Sequence, residues 1–150
     1  MEDTSLYGLS DGSALSSRSA YFSPRDEYLA AFEDADQLFL IYYHLADGRI
    51  ETEQFTRGLF LTLARQGVTC LIRHGLKKGD RVAHFFSDNS PHDLIFRLSE
   101  ALIGAVPVTI NWQADNEERM IYKVKASQAK LILYDKGFEK TIGAMQPAFK

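Results

Sequence analysis

Apolar and polar positions divide the chain into a polar opening and a long run of regular elements. Residues 5–23 carry Ser10, Asp11, Gly12, Ser13, Ser16, Ser17 and Ser19, with too few apolar groups to offset the entropy of ordering them. Residues 1–23 therefore read as a flexible polar tail. Pro24 opens a short helix ending near Asp34, with Arg25, Asp26 and Glu27 in a first turn whose positive end favours the carboxylates. Leu38-Phe39-Leu40-Ile41-Tyr42-Tyr43 is a run of strand formers. Ala46-Asp47-Gly48-Arg49 supplies an Asp-Gly turn into a second extended piece at Arg49 to Glu51, and the two make a hairpin. Thr52 then caps a helix in which Phe55, Leu59, Leu63, Gly67 and Leu71 form one apolar row beside a second of Phe60, Ala64, Val68 and Ile72. So wide a stripe faces a core. Gly75 is placed as the left-handed stop of that helix, and Lys77-Lys78-Gly79-Asp80 forms the turn after it.

Beyond that turn, strand and helix alternate. Arg81 to Phe86 reads as a strand, and Asp88, Asn89 and Ser90 offer caps directly before Pro91, the residue best tolerated at the first helical position. The helix Pro91 to Ile103 buries Leu94, Ile95, Leu98, Ala101 and Leu102, and Gly104 stops it. Ala105 to Ile110 is a short apolar strand in which Pro107 implies an edge or a bulge. Asp115 or Asn116 caps a helix carrying Met120, Ile121, Val124 and Ala126. Lys130 to Tyr134 is another strand, and Phe138 to Met145 a last amphipathic stretch. Parallel strands need helical crossovers, so the expected fold class is α/β: a partial, mostly parallel sheet with flanking helices and an N-terminal hairpin.

Composition narrows the function classes. With 150 residues the chain has room for about one domain, and 45% hydrophobic against 25% charged residues is ordinary for a globular protein. A net charge of -3 gives no broad positive field, so nucleic acid is not an expected partner. Cys70 is the single cysteine and cannot form an internal disulfide; with only four histidines it is a poor start for a structural zinc site. Met1-Glu2-Asp3 is acidic where a leader would be basic, and the apolar run Leu38 to Tyr43 is far shorter than the ~20 residues of a membrane span. No transmembrane segment and a cytoplasmic location are the expectations.

Each candidate site has a plainer structural reading. Ser10-Asp11-Gly12-Ser13 lacks the following lysine and the preceding strand of a phosphate loop. Gly75 to Gly79 leads into a strand, not a helix, and is a turn. His84, Ser87, Asp88 and His92 cluster near one strand end, where the serine and aspartate are better explained as helix caps than as a nucleophile and its base. Cys70 lies on the apolar stripe of the long helix, where a free cysteine is usually a small buried hydrophobe.

Gly75-Leu76-Lys77-Lys78-Gly79-Asp80-Arg81-Val82-Ala83, then Asn89-Ser90-Pro91, then Leu102-Ile103-Gly104-Ala105-Val106-Pro107-Val108, Asn111 and Ala129-Lys130-Leu131-Ile132-Leu133 together resemble the adenylate-forming enzymes. This is the family of acyl-CoA synthetases, luciferases and peptide-synthetase adenylation domains. The resemblance covers about Leu38 to Asp135 and lies in the order of the segments. Two departures are Glu53, where the family has an aromatic residue after the capping threonine, and a longer stretch from Thr52 to Gly79, with the helix either extended or broken near Gly67.

The resemblance implies that residues 24–150 are an incomplete N-terminal subdomain of an AMP-forming acid–thiol ligase, using ATP, magnesium and coenzyme A in its full-length form. It implies no catalytic residue here, because the family's Ser/Thr/Gly-rich loop with its lysine, its aromatic-Gly-x-Thr-Glu segment, its ribose-binding Asp and its catalytic Lys have no counterpart in these 150 residues. Arg119 is the one candidate cofactor contact: in some relatives an arginine on the matching helix meets the coenzyme A phosphates. The competing reading, which is preferred, pairs Arg119 with Asp115 four residues earlier. The implied partner is the remainder of the ligase, with self-association through an exposed apolar face as a further expectation. A free-standing, non-catalytic partner-binding module or gene relic is the alternative, and a flavodoxin-like nucleotide binder a weaker third.

Overall fold

The computed structural model of the chain describes residues 34–87 and 89–149. The polar tail, the helix expected after Pro24, Ser10 to Ser13 and the cap candidate Asp88 lie outside the described residues. Strands β1 (Leu38–Ala46) and β2 (Arg49–Thr56) form the antiparallel hairpin, followed by α1 (Arg57–Arg73), β3 (Arg81–Phe85), α2 (Pro91–Ile103), β4 (Val106–Thr109), α3 (Glu117–Ser127), β5 (Leu131–Tyr134) and α4 (Glu139–Met145). Short 3-10 turns at Lys136–Phe138 and Gln146–Phe149 flank α4. Strands β3, β4 and β5 make a parallel sheet in the order β4-β3-β5.

Alternation along β3 organises the packing, because successive side chains point to opposite faces of the sheet. Ala83 and Phe85 join Met120 and Val124 of α3 and Ile142 and Met145 of α4 in one core. Val82 points the other way, into a cluster with Leu71, Leu76 and Ala105 on the side of α1 and α2. Helices therefore cover both faces of β3, as parallel sheets require. Pro107 sits on β4, an edge strand, where its missing N–H removes no ladder bond that a central strand would need.

The hairpin turn follows from its two central residues. Asp47 and Gly48 have φ of 50° and 75°, the pair of positive values that a two-residue loop requires if it is to match the twist of the strands. The stop of α1 is equally local. Gly75, at φ 81°, lets its own N–H reach the Ile72 carbonyl while the Leu76 N–H reaches Leu71, and those two leucines are buried together.

Four sequence expectations need correction. Thr52 caps no helix; it lies inside β2 opposite Tyr43, and Thr56 is the cap, its hydroxyl accepting from the Leu59 N–H at 3.2 Å. The nine-residue β1 templates this longer β2 through backbone pairing, a non-local effect that the polar run from Glu51 to Gln54 conceals. The helix that follows is continuous through Gly67. Its buried row is Phe60, Ala64, Gly67 and Leu71 with Leu61, while Leu59 and Ile72 from the two expected rows are exposed. Cys70 is exposed as well, since it lies about 100° around the helix from Leu71. On α2, Ile95 is buried and Leu98 and Leu102 half-buried, but Leu94 and Ala101 face solvent and the fully buried positions are Ser99 and Glu100.

Candidate functional site

A polar cluster beneath the sheet is the most unusual chemical feature of the molecule. His84 follows Val82 on the α2 side of β3, where a further apolar side chain is the usual occupant, and it is 1% exposed. Its Nδ1 lies 2.6 Å from Asp93 Oδ1 and its Nε2 2.7 Å from Glu100 Oε1. Asp93 and Glu100 are seven residues apart on α2, two turns, so both carboxylates come off one face of the helix. Arg97 Nε completes the group, donating to Asp93 Oδ2 at 2.9 Å.

A carboxyl oxygen lies against each ring nitrogen, an arrangement that favours the doubly donating imidazolium form of His84. The His84 and Glu100 end of the cluster is closed to water, while Asp93 and Arg97 are half-buried at its rim. Burial works against the charged ring, but the hydrogen bonds to Asp93 and Glu100 and the charges of both carboxylates outweigh it and raise the His84 pKa above its ordinary value. Burial likewise opposes ionisation of Asp93, and the bonds from His84 and Arg97 overcome it and hold that carboxyl below the usual range. With both ring nitrogens engaged by carboxyl oxygens, His84 presents no free nitrogen with which to act as a general base.

Sequence reasoning grouped His84 with Ser87, Asp88 and His92. The structure gives His84, Ser87 and His92 separate partners, and Asp88 lies outside the described residues. Asp135, 48 residues on, accepts from both the Ser87 N–H at 2.7 Å and its hydroxyl at 2.6 Å. The other Asp135 oxygen caps the following 3-10 turn through the Gly137 N–H. These donors overcome the cost of burial and hold the Asp135 carboxyl below its ordinary pKa, which makes it a latch between the chain ends leaving β3 and β5. His92 is exposed near Ser90, whose hydroxyl accepts from the His92 N–H at 3.2 Å and caps α2. The signal that was missed is the acidic pair Asp93 and Glu100 at helical spacing, next to a histidine in the preceding strand.

The glycine-bearing turn is not an anion cradle. The N–H groups of Gly75, Leu76, Gly79 and Asp80 all reach backbone carbonyls, and the Lys77 N–H reaches Asp80 Oδ2 at 2.8 Å. Asp80 also accepts from Lys130 at 2.9 Å, the main reason its carboxyl is held below the ordinary range, and the pair ties the start of β3 to the start of β5. Arg119 Nε lies 3.1 Å from the buried Asp115 carboxylate, whose other oxygen accepts from Lys123. The Arg119 side chain is otherwise 67% exposed. No described helix is long and apolar enough to cross a membrane.

No protein-family model and no curated protein matches the chain. Solved structures do. A long-chain-fatty-acid CoA ligase from Rhodopseudomonas palustris is similar at 21% identity and a TM-score of 0.70, over 86% of this chain and 30% of that one. A fatty acyl CoA synthetase from Mycobacterium tuberculosis is 26% identical with a TM-score of 0.59, over 63% of this chain and 18% of that one. The N-terminal subdomain of NpsA from Klebsiella oxytoca is 25% identical with a TM-score of 0.60, over 75% and 26% of the two chains. The chain thus has the fold of N-terminal subdomains of adenylate-forming enzymes, and it spans less than a third of the length of these structures.

Proposed function

We propose that this chain is the N-terminal portion of an ATP-dependent ligase that joins a carboxylate to AMP and then passes the acyl group to a thiol, and that its own part in that reaction is to support the catalytic crevice. One observation carries the reading: the order of segments that resembles the adenylate-forming enzymes coincides with a fold shared with acyl-CoA ligases over 86% of the chain. The interior agrees with a supporting role. Asp80, Asp93, Asp115, Asp135 and His84 are each engaged by protein groups, so none of these is free to bind phosphate, metal or substrate.

On this reading ATP, magnesium and coenzyme A belong to the full-length protein. The described residues do not fit the nucleotide. Adenylation spreads negative charge over phosphorus, and stabilising it takes free N–H groups, a lysine or a metal placed around the phosphates. The turn that comes nearest to such a cradle has the N–H groups of Gly75, Leu76, Lys77, Gly79 and Asp80 committed elsewhere.

The second reading, a free-standing partner-binding module, parts from the first downstream of Lys150. The proposal expects the transcript to continue in frame into a Ser/Thr/Gly-rich loop followed by a lysine; a stop codon directly after Lys150 in an intact transcript would favour the module.

A further inference from the structure

The hairpin sorts its residues by charge onto two faces. Directly opposed residues in an antiparallel pair share a face, so the pairings His44 with Glu51, Tyr42 with Glu53 and Ala46 with Arg49 place every charged or titratable imidazole, carboxylate and guanidinium group of β1 and β2 on one side. His44 lies 3.6 Å from Glu51 and 3.7 Å from Glu53 there. The same side carries Leu40, Tyr42 and Phe55, which pack with Phe60 and Ala64 of α1. The opposite side, where Ile41 faces Gln54, Tyr43 faces Thr52 and Leu45 faces Ile50, has no charge at all. This outer side is exposed: Ile41 38%, Tyr43 63%, Leu45 76% and Ile50 74%. A solvated ribbon normally has the reverse arrangement, with its charges outward.

We infer that the outer face of the hairpin is a docking surface for a second copy of this chain, arranged about a two-fold axis. Area is the first argument. At those exposures the four apolar side chains present roughly 500 Å² of surface, and Thr52 and Gln54 bring the face toward the ~800 Å² per partner of a standard stable interface. A patch of that size stands at the upper end of what monomers leave exposed. Charge is the second. A two-fold contact sets a patch against itself, so any charge on the patch meets its like, and this is a face from which charge is absent. Arg49, Glu51 and Glu53 remain on the far side, in water. Cross-strand neighbours Leu45 and Ile50 form the centre of the contact, and Tyr43 supplies an aromatic anchor of the kind enriched in interfaces. The inference concerns the chain of these 150 residues; on the ligase reading the remainder of the ligase is the competing occupant of this face, and a monomer at every concentration is the outcome that favours it.

Sedimentation velocity on the 150-residue chain from about 1 to several hundred μM tests it. The expected result is a closed monomer–dimer equilibrium with a dissociation constant in the roughly micromolar range typical of modest interfaces. Tyr43→Lys with Leu45→Lys sets like charges across the axis and is expected to weaken association at least a hundredfold, as is Ile50→Glu alone. Leu94→Lys, on another exposed apolar side chain, leaves the equilibrium unchanged. All these positions are solvent-exposed, and an unaltered circular-dichroism melt confirms that each variant folds. A monomer at every concentration, a dimer that survives both hairpin variants, or open-ended oligomers of the kind made by edge-strand pairing would overturn the inference.

Discussion

Gly67→Ala is expected to lower stability by about 1–3 kcal/mol, the usual cost of inserting a methyl group into a close-packed contact. Gly67 lies where α1 crosses α2. A Cβ built on it falls 2.3 Å from the Ser99 hydroxyl oxygen and 3.2 Å from the Ser99 Cβ. Ser99 cannot yield cheaply, because it is fully buried and its hydroxyl lies within hydrogen-bonding distance of the Ala64 carbonyl at 2.9 Å and the Ile95 carbonyl at 2.7 Å. Its position is therefore set by both helices at once. A double-mutant cycle measured by urea denaturation separates this clash from the intrinsic helix preference, which by itself favours alanine. Ser99→Ala removes the nearer of the two contacts, so the double variant is expected to be more stable than the sum of the single changes. Additive effects, or a Gly67→Ala chain as stable as the parent, would show that the crossing is looser than this geometry.

The buried ion cluster sets the larger effect and a pH dependence. Glu100 is fully buried, its Oε1 bonds His84, and its Oε2 has no hydrogen-bond partner among the described residues. His84→Ala thus leaves a buried carboxylate without its cation, a situation that costs roughly 3–5 kcal/mol. His84→Leu combined with Glu100→Leu removes the opposed charges together, leaves Asp93 paired with Arg97, and is expected to fall much closer to the parent in stability.

The folded pKa of His84 lies above the ordinary 6.5, so its contribution is fully present below pH 6.5 and is lost as pH rises through the raised value. Asp93 lies below the ordinary 3.8, so its contribution is present above pH 3.8 and is lost as pH falls through the lowered value. Stability should therefore be highest between those limits and decline on the alkaline side, and the His84→Leu/Glu100→Leu chain should lack that alkaline decline. Urea midpoints measured from pH 5 to pH 9 decide it, and identical slopes for the two chains would remove the imidazolium from the account.

What was legible in the sequence was whatever is encoded locally. The Asp47-Gly48 turn, the glycine stop at Gly75, the Ser90-Pro91 start of α2 and the Gly104 stop all depend on residues within a few positions of one another, and each lies where its chemistry places it. The extent of β2 was hidden, because its partner β1 supplies the pairing and its own residues from Glu51 to Gln54 are polar. Which side of α1 is buried depends on where α2 crosses. Small side chains at Ala64, Gly67 and Ser99 bring the helices together, so the contact runs along a row that hydrophobicity alone does not mark. The ion cluster was invisible for a related reason. Glu100 at a fully buried position contradicts the ordinary rule that carboxylates face water, and only the meeting of β3 with α2 supplies the histidine that permits it.

The central claim is that the groups needed to activate a carboxylate are not held in these 150 residues. Carboxylate-dependent exchange of labelled pyrophosphate into ATP, assayed on the purified chain with magnesium and a panel of aliphatic and aromatic acids, measures this directly. The account predicts no exchange above background for any acid. Formation of an acyl-adenylate by the chain alone would contradict it.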